Sequence, residues 1–89
     1  MASYLVEGYA PIDPSALASA VARIRAAADA LVAGGRAVRH VEAILVPEDE
    51  TCFHLVEAAS IEDVRELLRR ADLSEMRITE AVGGPDPQP

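Results

Sequence analysis

The stretch from Arg36 to Ala58, RAVRHVEAILVPEDETCFHLVEA, constrains the fold more than any other part of the chain. Two runs of mostly apolar residues flank the four residues Pro47, Glu48, Asp49 and Glu50, with Pro47 at a corner that suits its fixed φ. This is the pattern of one long β-hairpin. If Val46 pairs with Thr51 across that turn, paired residue numbers sum to a constant. His40 then faces Glu57, Glu42 faces Leu55 and Ile44 faces Phe53 on one side of the ribbon. Val41 with Val56, Ala43 with His54 and Leu45 with Cys52 occupy the other side. Because strand side chains alternate with a period of two, a shift of one residue would exchange the two sides.

The flanking segments supply the remaining elements. Ser3 to Tyr9 alternates as a first strand, with Leu5, Glu7 and Tyr9 on one side. Asp13 stands at a helix N-cap with Pro14 at the first helical position, where a missing N–H costs nothing. Leu17, Val21, Ile24, Ala28 and Leu31 then form a helical stripe, Arg25 and Asp29 make an outside pair, and Gly34 and Gly35 supply a left-handed stop. Ser60 with Asp63 forms the capping box of a second helix, whose stripe is Ile61, Val64, Leu67, Leu68 and Ala71. The charges outside that stripe, Glu62, Arg65, Glu66, Arg69 and Arg70, read as a solvated face. Ser74 to Val82 is a last strand, with Met76, Ile78, Glu80 and Val82 on one side.

Strand, helix, strand, strand, helix, strand is the βαββαβ order of a ferredoxin-like α+β sandwich, a four-stranded antiparallel sheet with two helices on one face. Residues 1–82 make one such domain, and the Gly/Pro-rich segment 83–89, GGPDPQP, reads as a disordered tail. Two helices cover only one face of four strands. The bare face is expected to hold Leu5, Tyr9, Ile44, Phe53, Leu55, Ile78 and Val82 together with Glu7, His40, Glu42, Glu57 and Glu80. Leaving so much apolar surface wet forfeits about 1.5 to 3 kcal/mol per large side chain. The expectation is a homodimer in which two sheets pack face to face as a dimeric α+β barrel with an acidic, partly apolar interior.

Composition narrows the partners. The chain has 89 residues, a formal charge of −7 and eight cationic residues, all Arg, which argues against nucleic acid and anionic membranes. Its aromatic rings, Phe53, Tyr4 and Tyr9, are too few for base stacking. One cysteine, Cys52, forms no internal disulfide and fits a reducing compartment, and the first residues carry no signal-peptide pattern, so a cytoplasmic location is expected.

The segment PEDETCFHLVEAASIEDVRELLRRADL, followed by EMRITEAV, resembles the bacterial ferredoxin-like domains of unknown function whose best-known relative is a small nickel-binding protein. The resemblance covers nearly all of the chain before the tail. It implies a dimeric βαββαβ fold and a bound metal or small ligand. The nickel ligands themselves are not carried over. Where that relative's strand has a Trp-Val-His-Ser type of sequence this chain has His40, Val41, Glu42 and Ala43, and a second-helix histidine is replaced by Leu67.

The inferred register makes His40 and Glu57 the candidate catalytic pair, since a carboxylate beside an imidazole raises its pKa and orients one ring nitrogen. The alternative is an ordinary cross-strand pair at the dimer seam. Glu7, Tyr9, Glu42, Phe53 and Glu80 are candidate ligand-binding residues on the same face. His54 and Cys52 fall on the helix-covered side and read as core residues. There is no glycine-rich phosphate loop, metal-spaced His or Cys set, or serine nucleophile elbow. The favoured function is a homodimeric binding module for a small ligand or a divalent metal. The alternative is a small cofactor-poor oxygenase, isomerase or cyclase in which His40 and Glu57 move protons.

Overall fold

A computed structural model describes residues 1–9 and 13–82, so the expected tail lies outside the described residues. In chain order the elements are β1 (Ala2–Tyr9), α1 (Pro14–Ala33), β2 (Val38–Val46), β3 (Thr51–Ala58), α2 (Ile61–Arg70) and β4 (Arg77–Ala81). The four strands form one antiparallel sheet in the order β2-β3-β1-β4, consistent with the ferredoxin-like arrangement. The smallest dimension of the molecule is 18 Å, the thickness of a sheet and a single helical layer.

Local chemistry sets the helix ends. The Asp13 carboxylate accepts from both the backbone N–H and the hydroxyl of Ser15, and Pro14 opens α1. At its far end Gly35 takes a φ of +94°, and the Arg36 N–H reaches back to the Leu31 carbonyl, closing a Schellman turn. Helix α2 begins on Ser60, whose hydroxyl accepts from the Asp63 N–H, and ends with Asp72 at a φ of 60° and Leu73 N–H bonded to Leu68 O. Arg69 and Arg70 both grip Glu66 and hold its carboxyl down to about 2. This is the solvated charge run expected from the sequence.

The core lies between helices and sheet. Ile24 of α1, Val64, Leu67 and Leu68 of α2, and Val6 and Val56 of the two central strands are fully or almost fully enclosed. Each contributes about 1.5 to 3 kcal/mol by leaving water. The inward stripe of α1 is Ala20, Ile24, Ala27, Ala28 and Leu31, so small residues let this helix lie close on the sheet. Gly8 on β1 makes room for Met76, since a Cβ there would stand 2.9 Å from the Met76 side chain.

The hairpin closes as expected at the turn and departs from expectation further on. Pro47–Asp49 form a 3₁₀ turn, and Val46 pairs with Thr51, Leu45 with Cys52, Ile44 with Phe53, Ala43 with His54 and Glu42 with Leu55. A bulge then falls between His40 and Glu42. Beyond it His40 pairs with Val56 and Arg39 with Glu57, so His40 does not face Glu57. One extra residue inverts the strand, and His40 turns to the helix-covered side.

The phase of β4 also differs from expectation. Val6 pairs with Ile78 and Tyr4 with Glu80, and because directly opposed residues share a face, Ile78 and Glu80 stand on the helix-covered side. Arg77, Thr79 and Ala81 face the open side instead. The cause lies just before the strand. Leu73 is buried and Met76 packs against the core, joined by a turn in which Met76 N–H bonds to Leu73 O, so β4 starts only at Arg77. Val82 lies past the strand end and is exposed.

The bulge makes an unusual forecast about deletions. Removing Val41 should leave His40 opposite Val56 in an unbroken ladder and change the unfolding free energy by no more than about 1 kcal/mol. Removing Ala43 would also absorb the bulge, but it would turn Glu42 inward against His54 and cost at least about 3 kcal/mol. Urea denaturation of the two deletion variants measures both values; equal costs would count against the bulge.

Candidate functional site

The bare face of the sheet is built from four rows that run across the strands. Arg39, Glu57, Ser3 and Ala81 form the first, and Glu42, Leu55, Leu5 and Thr79 the second. Ile44, Phe53, Glu7 and Arg77 form the third, and Val46, Thr51 and Tyr9 the last. The middle of the face is therefore an apolar strip of Ile44, Phe53, Leu55 and Leu5, with charge at its margins. Ile44 alone keeps 47% of its surface exposed. Its cause is the period of two in β3, whose residues Thr51, Phe53, Leu55 and Glu57 alternate with the buried Cys52, His54, Val56 and Ala58.

The margins carry specific polar contacts. Arg39 donates from Nη2 and Nε to Glu57 Oε1 at 2.6 and 3.0 Å. At the opposite corner Tyr9 donates its hydroxyl to Glu50 Oε2 at 2.7 Å, which raises the phenol above its ordinary pKa. Glu50 reaches this position because it takes a left-handed conformation, φ 47°, at the end of the turn. Glu7 lies directly across from Arg77 on β4, and Glu42 stands exposed on the edge strand β2.

Of the residues expected to form a site, Glu7, Tyr9, Glu42, Phe53 and Glu57 come together on this face. His40 and Glu80 do not. Glu57 is engaged by Arg39, and the imidazole meant to be its partner is on the other side of the sheet. Glu80 is exposed on the helix side, across from Tyr4. Among the described residues no three His, Cys, Asp or Glu side chains converge to hold a metal ion.

The residue that meets His40 is His54. Their rings lie 5.2 Å apart and tilted by 58°, and His40 Nε2 is 3.0 Å from His54 Nδ1. The other nitrogen of His54, Nε2, is 3.9 Å from Cys52 Sγ. A buried file of three side chains, Cys52, His54 and His40, thus runs beneath α1 from β3 to the edge strand. The structure shows the break directly, since the inward residues Val38 and Ala43 are five apart, an odd separation that an unbroken strand cannot have; no sequence pattern marks it.

Burial is the main influence on all three groups. It raises the Cys52 thiol, which stays protonated. It lowers His40, with the charge of Arg25 adding to the effect, and pushes His54 down to about 4, with His40 adding a smaller repulsion. Comparison with protein families, curated proteins and solved structures finds no match to this chain.

The depressed histidines fix the direction of a pH effect. An unfolded chain takes up protons near the ordinary histidine value of about 6.5, whereas folded His54 resists until about 4. The stability contributed by the neutral ring is present above pH 6.5 and is lost as pH falls through the window from about 6.5 to about 4. Between about pH 7.5 and about pH 5 the unfolding free energy should drop by about 2 kcal/mol from His54, and further from His40. Urea midpoints across that range measure the slope, which His54→Leu should flatten. A wild-type slope near zero would mean that the histidines titrate freely.

Proposed function

We propose that this chain is a homodimeric binding module, in which two bare sheet faces close on each other as a dimeric α+β barrel and hold a small organic ligand between them. The observation that carries the reading is the apolar strip of Ile44, Phe53, Leu55 and Leu5, which spans three strands on the face that neither helix covers. Packing that strip against a copy of itself would remove it from water, at about 25 cal/mol for each Å² of apolar surface. A two-fold axis through the strip needs only one self-complementary patch. The margins suit such closure: the Arg39–Glu57 pair is already formed, and Glu7 and Arg77 offer opposite charges to a partner.

The ligand best matched to this interior has an apolar body and a cationic or hydrogen-donating group, to meet Glu7, Glu42 and Tyr9. A divalent metal is less well supported, because the described residues of one subunit bring no three ligating side chains together. A proton-transfer enzyme using His40 with Glu57 is not supported either, since these residues stand on opposite faces of the sheet. Membership of the bacterial ferredoxin-like family and a cytoplasmic setting belong to the same proposal. No helix among the described residues is long and apolar enough to cross a membrane.

Sedimentation equilibrium tests the assembly. The wild-type chain should be a dimer at micromolar concentration, and Phe53→Glu, which places two charges at the centre of the seam, should weaken it by at least about 100-fold while the monomer keeps its circular dichroism. A monomeric wild type, or a Phe53→Glu variant that dimerises as before, would overturn the proposal.

A further inference from the structure

A cavity lies on the helix-covered side of the sheet, in the groove between α1 and the edge strand β2. Its volume is about 650 Å³, within the range of small-molecule sites. Ala28 and Val32 of α1 and Val38 of β2 supply apolar walls, and His40 forms part of the floor. Its polar lining is biased. Arg25 and Arg36 border the groove against a single carboxylate, Asp29, in a chain whose overall charge is −7, while Arg39, which also touches it, turns its guanidinium to the open face. Arg36 is bound to Asp63 at 3.3 Å and Arg39 to Glu57. Among the described residues Arg25 has no ion-pair partner, and the outside pair with Asp29 expected from their spacing does not form.

His40 adds an independent observation. It is only 8% exposed, and its Nδ1 is the one buried side-chain nitrogen or oxygen among the described residues that lacks a hydrogen-bond partner. A buried group in that state costs about 1 to 3 kcal/mol, so a partner supplied from the groove would be favoured. The proton arrangement of the file behind it decides the kind of partner, and the His40 Nε2–His54 Nδ1 and His54 Nε2–Cys52 Sγ contacts fit either tautomer. With the thiol donating to His54 Nε2, the His54 proton lies on Nδ1 and points to His40 Nε2, and the His40 proton lies on Nδ1. An acceptor in the groove beside the Arg25 guanidinium selects this arrangement, because it needs His40 Nδ1 to donate.

We propose that this groove binds a small amphipathic organic carboxylate, whose acid group bridges the Arg25 guanidinium and His40 Nδ1 and whose apolar body lies against Ala28, Val32 and Val38. The site is separate from the sheet face that closes the dimer. Cys52 and His54 are positioning residues here: they support the proton arrangement of His40 that the acid group selects and touch no ligand themselves.

Titration of the full-length chain with octanoate, followed by two-dimensional amide and imidazole NMR, tests the site. Saturable one-to-one shifts at Arg25, Val32 and His40 are expected, with a Kd of about 1 mM or tighter. His40 should be in the Nδ1–H tautomer when octanoate is bound, and its Nδ1–H signal should move downfield as the hydrogen bond forms. Arg25→Gln, a change on the exposed side of α1, should weaken octanoate about tenfold or more. Octanol and inorganic phosphate, which each lack half of the ligand, should bind at least about tenfold more weakly than octanoate. The Phe53→Glu variant should bind octanoate as the wild type does, which separates this site from the sheet face. Absence of saturable shifts, octanol or phosphate binding as tightly as octanoate, or shifts confined to Leu5, Phe53 and Leu55 would each overturn the proposal.

Discussion

Strand β3 is bonded on both edges along its whole length, to β1 and to β2, and that double pairing is the constraint on which the other elements depend. Its inward residues Cys52, His54, Val56 and Ala58 are all buried, and its outward residues are all partly exposed, without one exception in eight positions. A strand held this way cannot slip, because a one-residue shift would send four buried side chains to water. The phase of β1 follows directly from it, and β4 inherits its phase from β1. The helices then settle on the only side that offers them a closed core, with Val6, Val56 and Val64 at its centre.

The bulge in β2 is what gives the two faces different chemistry. Arg39 and His40 are consecutive residues that point to opposite sides: one grips Glu57 on the open face, the other enters the core beside His54. Had the ladder run unbroken, His40 would have stood outward beside Glu57 as an ordinary exposed ion pair. The inversion instead puts an imidazole under α1, where water is excluded and Arg25 disfavours its charge. Neutral rings follow from that placement, and neutral rings can form a directional file that charged ones cannot. The open face keeps carboxylates at its margins and an apolar centre.

The parts of this arrangement that were legible in the sequence are those governed by local rules. Asp13 with Pro14 and Ser60 with Asp63 mark both helix starts, Gly34 and Gly35 mark one helix end, and the turn at Pro47 places Val46 opposite Thr51. Glu42 and Phe53 share a face because pairing near the turn followed the simple count, and Glu7 and Tyr9 join them because β1 alternates and pairs with β3 without a break. His40 was misplaced because a bulge is a single-residue event that composition does not announce. Glu80 was misplaced because β4 takes its phase from β1, through Val6 and Ile78, and from the burial of Leu73 and Met76. The groove was beyond reach of periodicity, since Arg25 and His40 meet through the packing of a helix on a strand.

The same irregularity in β2 also bears on how copies of the chain can meet. A sheet edge with a regular row of free N–H and C=O groups invites another strand to add to it, and the product is an open-ended ribbon. Here one edge is the bulged strand, with Arg39 and Glu42 on either side of the break, and the other is β4, only five residues long. Neither offers a flat template for continuation. Growth from side to side is therefore discouraged at both borders of the sheet, and contact through its broad face, which ends after two copies, is the route left open.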